Sequence, residues 1–278
     1  MSLSIHTNYA ALVTQNSLNR FNAALSTTQQ RLGTGLRINS AADDAAGLQI
    51  ATRLNANIRG MTVAIRNTSD GISLLQTAEG AFKEMTDIVL RMKDLATQAA
   101  SDTNGDADRT ALQAEVDQLT EELNNILDNT KYAGEALFNG GKFENQVSLQ
   151  IGASSAETLD IDVSGTLTNL ISTIGNFSSA DLSDADGART AMDDFESALD
   201  DIGALRAEFG AYINRLTHTS NNLRNMTDNT EMAKGRIMDA DFALESANLS
   251  KNSMLLQSGI SMLRQASQMP SLIMGLLG

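Results

Sequence analysis

No cysteine occurs in the 278 residues, which excludes a disulfide framework, a zinc–thiolate site and a thiol nucleophile. Tryptophan is also absent, aromatic residues make up 4% of the chain, and Pro270 is its one proline. Such a composition suits long helices built on small side chains better than a compact enzyme core, and it predicts a mainly α protein. Length alone allows one domain or two. No apolar run approaches the roughly 18 residues that a membrane helix needs, and the terminal SLIMGLLG is far shorter, so a soluble chain with no membrane partner is expected. The opening MSLSIHTNYAALVTQN lacks the basic stretch and unbroken apolar stretch of a general secretory signal, so any export must use another route.

Negative charge is also unevenly placed. The net charge is −14, which argues against a nucleic-acid partner because phosphates would be repelled. Residues 1–42 and 246–278 contain no Asp or Glu, so all 34 acids lie between Asp43 and Glu245. The ends carry only Arg20, Arg31, Arg37, Lys251 and Arg264 as charges. Alike in composition though remote in sequence, the two ends are expected to form one layer and the acidic middle another.

Apolar spacing then divides the middle. Ile58, Met61, Ile65, Ile72, Leu75, Phe82, Met85, Val89 and Met92 step by three, four or seven, as one stripe on a long helix that should stop near SDTNGDAD at 101–108. Leu112, Val116, Leu119, Leu123 and Ile126 predict a second helix folded back on the first. A third stripe runs from Met192 to Met226. Between them the period changes to two at Val147, Leu149, Ile151 and at Leu159, Ile161, Val163, which predicts a β-hairpin, the one sheet expected, followed by only a short stretch before the third helix. The fold expected is a long antiparallel helical bundle with one β-hairpin, divided at 1–42, 43–235 and 236–278. The ends carry their own stripes, Leu18, Phe21, Leu25 and Leu32, then Phe242, Leu249, Leu256, Ile260 and Leu263, with Asn, Gln, Ser and Thr on their other faces. Such faces suit contact with copies of the same surface, where repeated like charge would be destabilising.

Constellations for chemistry are scarce. His6 and His218 are the only histidines and form no metal-binding spacing. GGKF at 140–143 lacks the upstream Gly and the following Ser or Thr of a phosphate loop. LSDADGARTAMD at 182–193 resembles a calcium loop only in its middle, since Leu182 and Asp193 occupy the end ligand positions. Met61, Met85, Met92, Met226, Met254, Met262, Met269 and Met274 lie on or beside the stripes and are expected to fill core and interface. Adjacent Asp43 and Asp44 in SAADDAAG project in different directions and do not make an acid/base dyad. With Gly47 they are expected to form a connector between layers, capping the helix that follows. No catalytic residue, cofactor or metal is expected.

The stretches LNRFNAALSTTQQRLGTGLRINSAADDAAGLQIATRL (18–54), LRMKDLATQAASDTNGDADRTALQAEVDQLTEEL (90–123) and RIMDADFALESANLSKNSMLLQSGISMLRQASQMPSLIMGLLG (236–278) closely resemble bacterial flagellin. The resemblance spans nearly the whole chain and fits a short form without outer domains, similar to the lateral, swarming type. It implies a motility filament with paired terminal helices at its centre, and export in unfolded form through the flagellar type III apparatus. It also implies a chaperone on the C-terminal helix, hook–filament junction and cap proteins as neighbours, and an animal Toll-like receptor contacting positions that fall on Arg91, Leu95 and Glu115. Leu18, Phe21, Leu25, Leu249, Leu256, Ile260 and Leu263 are expected at contacts between subunits. A hook–filament junction protein and a secreted helical binding module are the alternatives.

Overall fold

A computed structural model describes residues 8–277, with side chains described to residue 268. Six α-helices and two small hairpins follow in the order α1 Tyr9–Thr34, α2 Ala45–Ala99, α3 Asp106–Asn129, β1 Lys131–Tyr132, β2 Glu135–Ala136, β3 Val147–Gln150, β4 Thr158–Ile161, α4 Ser164–Asn176, α5 Ala185–Met238 and α6 Phe242–Leu277. The chain forms two compact units, a terminal one of Met1–Ala56 with Asn229–Gly278 and a central one of Asn57–Asp228. The borders lie inside α2 and α5, because both helices run without a break through 56/57 and 228/229. The composition change at 42/43 marks the end of a loop instead, and that at 235/236 falls within α5.

The central unit has a continuous core. Along α2, Leu75, Ala78, Phe82, Met85, Val89, Met92 and Ala96 are fully buried at helical spacing, and α3 adds Val116 and Leu123, while α5 adds Phe195, Ile202, Leu205, Phe209 and Leu216. Phe82, Phe138, Phe143 and Phe209 pack around one point, with ring centroids 4.7 Å apart for Phe82–Phe138, 5.6 Å for Phe82–Phe209 and 5.1 Å for Phe143–Phe209. Offset aromatic pairs at this range add to what their buried area contributes. The turn from α2 to α3 is held by Arg109, whose Nε donates to the Ala99 carbonyl at 2.9 Å and whose Nη2 donates to Ser101, so a cation covers the carbonyl end of α2.

The β3–β4 hairpin pairs Val147 with Ile161 and Leu149 with Leu159, as alternation predicts. It lies against α2 where that helix offers glycine: a Cβ on Gly60 would stand 2.7 Å from Ala153, and one on Gly71 would stand 2.5 Å from Leu149.

Two elements depart from the sequence reading. A second hairpin, β1–β2, turns at Ala133 and Gly134, with φ of 51° and 89°. Two successive positive φ angles make a primed turn, and with Ala at the first position the usual Asn-Gly or Asp-Gly signal is missing. Helix α4 occupies the short stretch between the hairpin and the third long helix, to which the sequence reading assigns no element. Its sequence, SGTLTNLISTIGN, is rich in Gly and β-branched residues, yet Leu167, Leu170 and Ile174 are buried along one face. Packing overrides weak propensity there, and Asp162 supports the start by accepting from the Ser164 hydroxyl at 2.7 Å and its N–H at 3.2 Å.

Candidate assembly surface

In the terminal unit, α1 and α6 run antiparallel. The Asn8 amide donates to the Ala266 carbonyl at 2.7 Å, Leu18 meets Gly259, Arg31 meets Glu245, and Leu36 bridges to Asp239. Leu18, Phe21, Leu25, Leu249, Leu256 and Leu263 are all half-buried. Among the described residues, Ile38 and Ala51 are the only nearly inaccessible apolar side chains of this unit. The two helices are thin, and what they cannot cover stays outside: Tyr9 is 74% exposed, Leu12 52%, Met254 64% and Met262 61%. Val13, Phe242, Leu244 and Ile260 are exposed as well. Large apolar side chains at this density on one unit mark an association surface.

Of the seven residues expected at subunit contacts, Ile260 is open to solvent and the other six are half-buried. Tyr9 and Leu12 belong with Ile5 to a separate stripe that slips before Leu18, while Val13, Leu244, Met254 and Met262 lie off the stripes, and all six are exposed. The methionines divide the same way: Met61, Met85 and Met92 are core residues, whereas Met226, Met254 and Met262 are exposed. Met269 and Met274 lie outside the residues with described side chains, and His6 lies outside the described chain.

The connector after α1 is tied at both ends. The Gly35 N–H donates to the Arg31 carbonyl at 2.9 Å from a left-handed φ of 72°, closing α1. Asp43 accepts from the Ser40 N–H at 2.8 Å, the Ser40 hydroxyl at 3.0 Å and the Asn39 N–H at 3.1 Å, bonds that hold its carboxyl below the ordinary aspartate value. Asp44 instead accepts from the Gly47 N–H at 2.8 Å, at the start of α2. A Cβ on Gly47 would stand 2.6 Å from the Asp44 carboxylate and 2.8 Å from Ile38, so this buried position admits only glycine without movement. Each of the two acids thus serves its own turn, and they share no site.

In the central unit, Arg91 and Glu115 bridge α2 and α3 on the surface, with Nη2 to Oε1 at 2.7 Å and Nε to the same oxygen at 3.0 Å. Leu95 is 1% exposed and does not join them at the surface: positions 91 and 95 are neighbours on one side of α2, but Leu95 is enclosed by the core that also holds Met92 and Ala96. A surface formed by all three residues, as the resemblance implied, is therefore reduced to the ion pair.

An open cleft of about 350 Å³ lies beside α2 in this unit, lined by Asn67, Asp70, Tyr132, Lys142 and Leu149. Its polar groups are engaged: the Tyr132 hydroxyl donates to the Asp70 carbonyl, Asn67 donates to the Gln150 carbonyl, and Lys142 pairs with Glu135. Among the described residues no group of His, Asp or Glu is placed to hold a metal ion, and no helix is long and apolar enough to cross a membrane. In the 182–193 stretch, Leu182 is buried and the Asp184 carboxylate accepts from the Gly187 N–H.

Residues 5–142 match the family model for the bacterial flagellin N-terminal helical region, and residues 192–277 match that for the C-terminal helical region. A flagellin of Halalkalibacterium halodurans is 40% identical over 89% of this chain and 90% of its own. Flagellin A of Vibrio anguillarum is 32% identical over the whole of both chains, in an alignment of 380 positions, so it holds segments that this chain lacks. The fold is also similar to a putative flagellar hook-associated protein from Vibrio parahaemolyticus, at a TM-score of 0.57 and 14% identity over 71% of this chain and 100% of that one. The chain belongs to the bacterial flagellin family, the structural subunits of the flagellar filament, as a short member without the outer domains.

Proposed function

We propose that the chain acts by polymerising, without catalysis, and that the apolar side chains left open on α1 and α6 are the surface through which copies join. The observation that carries this reading is the contrast in burial, with one unit holding a closed core and the other leaving Tyr9, Met254 and Met262 more than half exposed. Ordering two helices costs roughly 1–2 kcal/mol per residue in backbone entropy, and a thin pair offsets little of it alone. Neighbouring copies supply the missing burial, and by mass action they favour the ordered form. Secretion through the flagellar export route and a chaperone on α6 before export belong to the same reading, supported by the family and by the apolar outer face that α6 would otherwise present to the cytosol. Host-receptor contact, carried by resemblance, rests on exposed Arg91 and Glu115.

Electron microscopy of purified protein after salt seeding tests the reading. Long filaments are expected from the parent, and Ile260→Asp should stop elongation, since a charge desolvated at every contact costs several kcal/mol without a partner. Normal filaments from Ile260→Asp would remove this face from the interface. Short rings or persistent monomers from the parent would favour a junction protein or a binding module.

A further inference from the structure

The apolar ladders of α1 and α6 have a common period. Leu18, Leu25 and Leu32 recur every seven residues, and so do Leu249, Leu256 and Leu263. In an antiparallel pair, sliding one helix by seven residues puts leucine against leucine again, displaced by about 10 Å along the axis. The leucine ladders alone therefore distinguish poorly between the observed register and its neighbours, and the one apolar contact tied to a single register is the seat of Leu18 on Gly259, where a Cβ would stand 2.7 Å away.

One charged contact distinguishes them as well. Glu245 is 6% exposed, the one buried acid or base among the described residues, and its Oε1 lies 3.0 Å from Arg31 Nη1. It is also the last acid of the sequence, and no acid precedes Asp43. A slide by seven sets Arg31 opposite Asn252 or Met238, and Glu245 opposite Ile38 or Ala24, leaving a buried carboxylate with no counter-charge. The pair is poorly built for stability alone, since it has a single contact and Arg31 Nε finds no partner among the described residues. The backbone bonds from Ala240 to Gly35 and from Arg37 to Met238 tie the ends of the helices, but any residue types could make them, and the Asn8 amide and Arg37 guanidinium donate to the Ala266 and Ile237 carbonyls, groups that every residue carries.

We infer that the Arg31–Glu245 pair selects one register of α6 on α1, so that every copy offers the same outer face. This rests on the assembly reading, because a helical polymer needs identical subunits whereas a monomer tolerates a mixture.

The absence of native cysteine makes the register directly readable by oxidative cross-linking of the full-length protein in filaments. Leu18→Cys with Gly259→Cys reports the observed register, and Leu18→Cys makes the room that a side chain at 259 needs. Leu18→Cys with Asn252→Cys or with Ala266→Cys reports a slide of seven in either direction. With Arg31 and Glu245 present, only the 18–259 pair should cross-link. The uncharged double variant Arg31→Met/Glu245→Leu should lose at least half of that product to the two slipped pairs, and the exchange Arg31→Glu/Glu245→Arg should restore a single product. If the uncharged variant makes no filaments, the exchange decides: normal filaments with one product support the proposal, and failure to assemble overturns it. Clean 18–259 cross-linking in uncharged filaments would overturn it too, showing that the leucines and the backbone bridge suffice. A charged parent that forms no filaments would overturn the assembly reading, and this inference with it.

Discussion

The two units spend their phenylalanines differently. Six of the eight, Phe82, Phe138, Phe143, Phe177, Phe195 and Phe209, lie in the central unit and are at most 1% exposed. The other two are in the terminal unit, where Phe21 is half-buried and Phe242 is 57% exposed. Aromatic rings bring the largest apolar payload of any side chain, so a unit that buries them completely is finished as a fold, and one that leaves them open is finished only by a neighbour. On the proposed assembly reading, the same chain carries a domain whose stability is its own and a layer whose stability depends on concentration.

That contrast can be broken most forcefully in the core. Phe82→Ala should cost about 3–5 kcal/mol in denaturant unfolding, because it opens a cavity inside the four-ring cluster, whereas Phe242→Ala should leave monomer stability within about 0.5 kcal/mol and slow filament growth instead. Equal losses from both would show that the terminal unit already has a core. Next in size, Leu95→Ala should destabilise the monomer by about 2–5 kcal/mol, while Arg91→Ala, which breaks only an exposed ion pair, should cost about 0.2–1 kcal/mol. Any loss of receptor signalling in the Leu95 variant would then track thermal stability, and a loss without destabilisation would restore Leu95 as a direct contact.

Smaller still, Asp44→Ala removes the carboxylate that accepts from the Gly47 N–H, and about 1 kcal/mol of local stability at the start of α2 should go with it, read as faster amide exchange of Gly47. The smallest effect is a pH dependence. Folding lowers the Asp43 pKa, so the stabilisation is complete above the ordinary aspartate value near 3.9 and disappears as pH falls through the lower folded value. Asp162 and Asp181 in the central unit are lowered in the same direction by the Ser164 and Ser183 bonds, side-chain bond first in each case. Carboxyl titration followed by NMR should give midpoints below about 3.9 for all three, and an unshifted Asp43 would mean that the 39–43 turn is open in solution.

Much of this architecture was legible in the sequence. The stripes through Phe82, Leu123 and Phe209 each repeat for many turns, and alternation at Leu149 and Leu159 has no helical reading, so the three long helices and the main hairpin announce themselves. Helix α4 did not, because its residues are poor helix formers held by burial of Leu167 and Ile174, which is knowable only once the neighbours are placed. The β1–β2 turn was hidden by Ala133 in a position where Asn or Asp is the usual mark. On α1 and α6 a stripe shows which side of a helix is apolar, and Leu18, Leu25, Leu249 and Leu256 on it are half-buried, but it did not show that Phe242 and Ile260 on it, or Met254 and Met262 beside it, stay exposed. The burial of Leu95 was not legible either, since a role carried by resemblance says nothing about how deeply a side chain is buried here.

The bond from Asn8 to Ala266 spans 258 residues of sequence. A ribosome adding about 5–20 residues per second takes roughly ten to fifty seconds to cross that interval. Throughout it α1 has no partner, because α6 is made after the whole central unit. However fast the central unit folds, the terminal layer cannot close before α6 is made, and the nascent chain spends that interval with the apolar residues of α1 available to whatever binds them first.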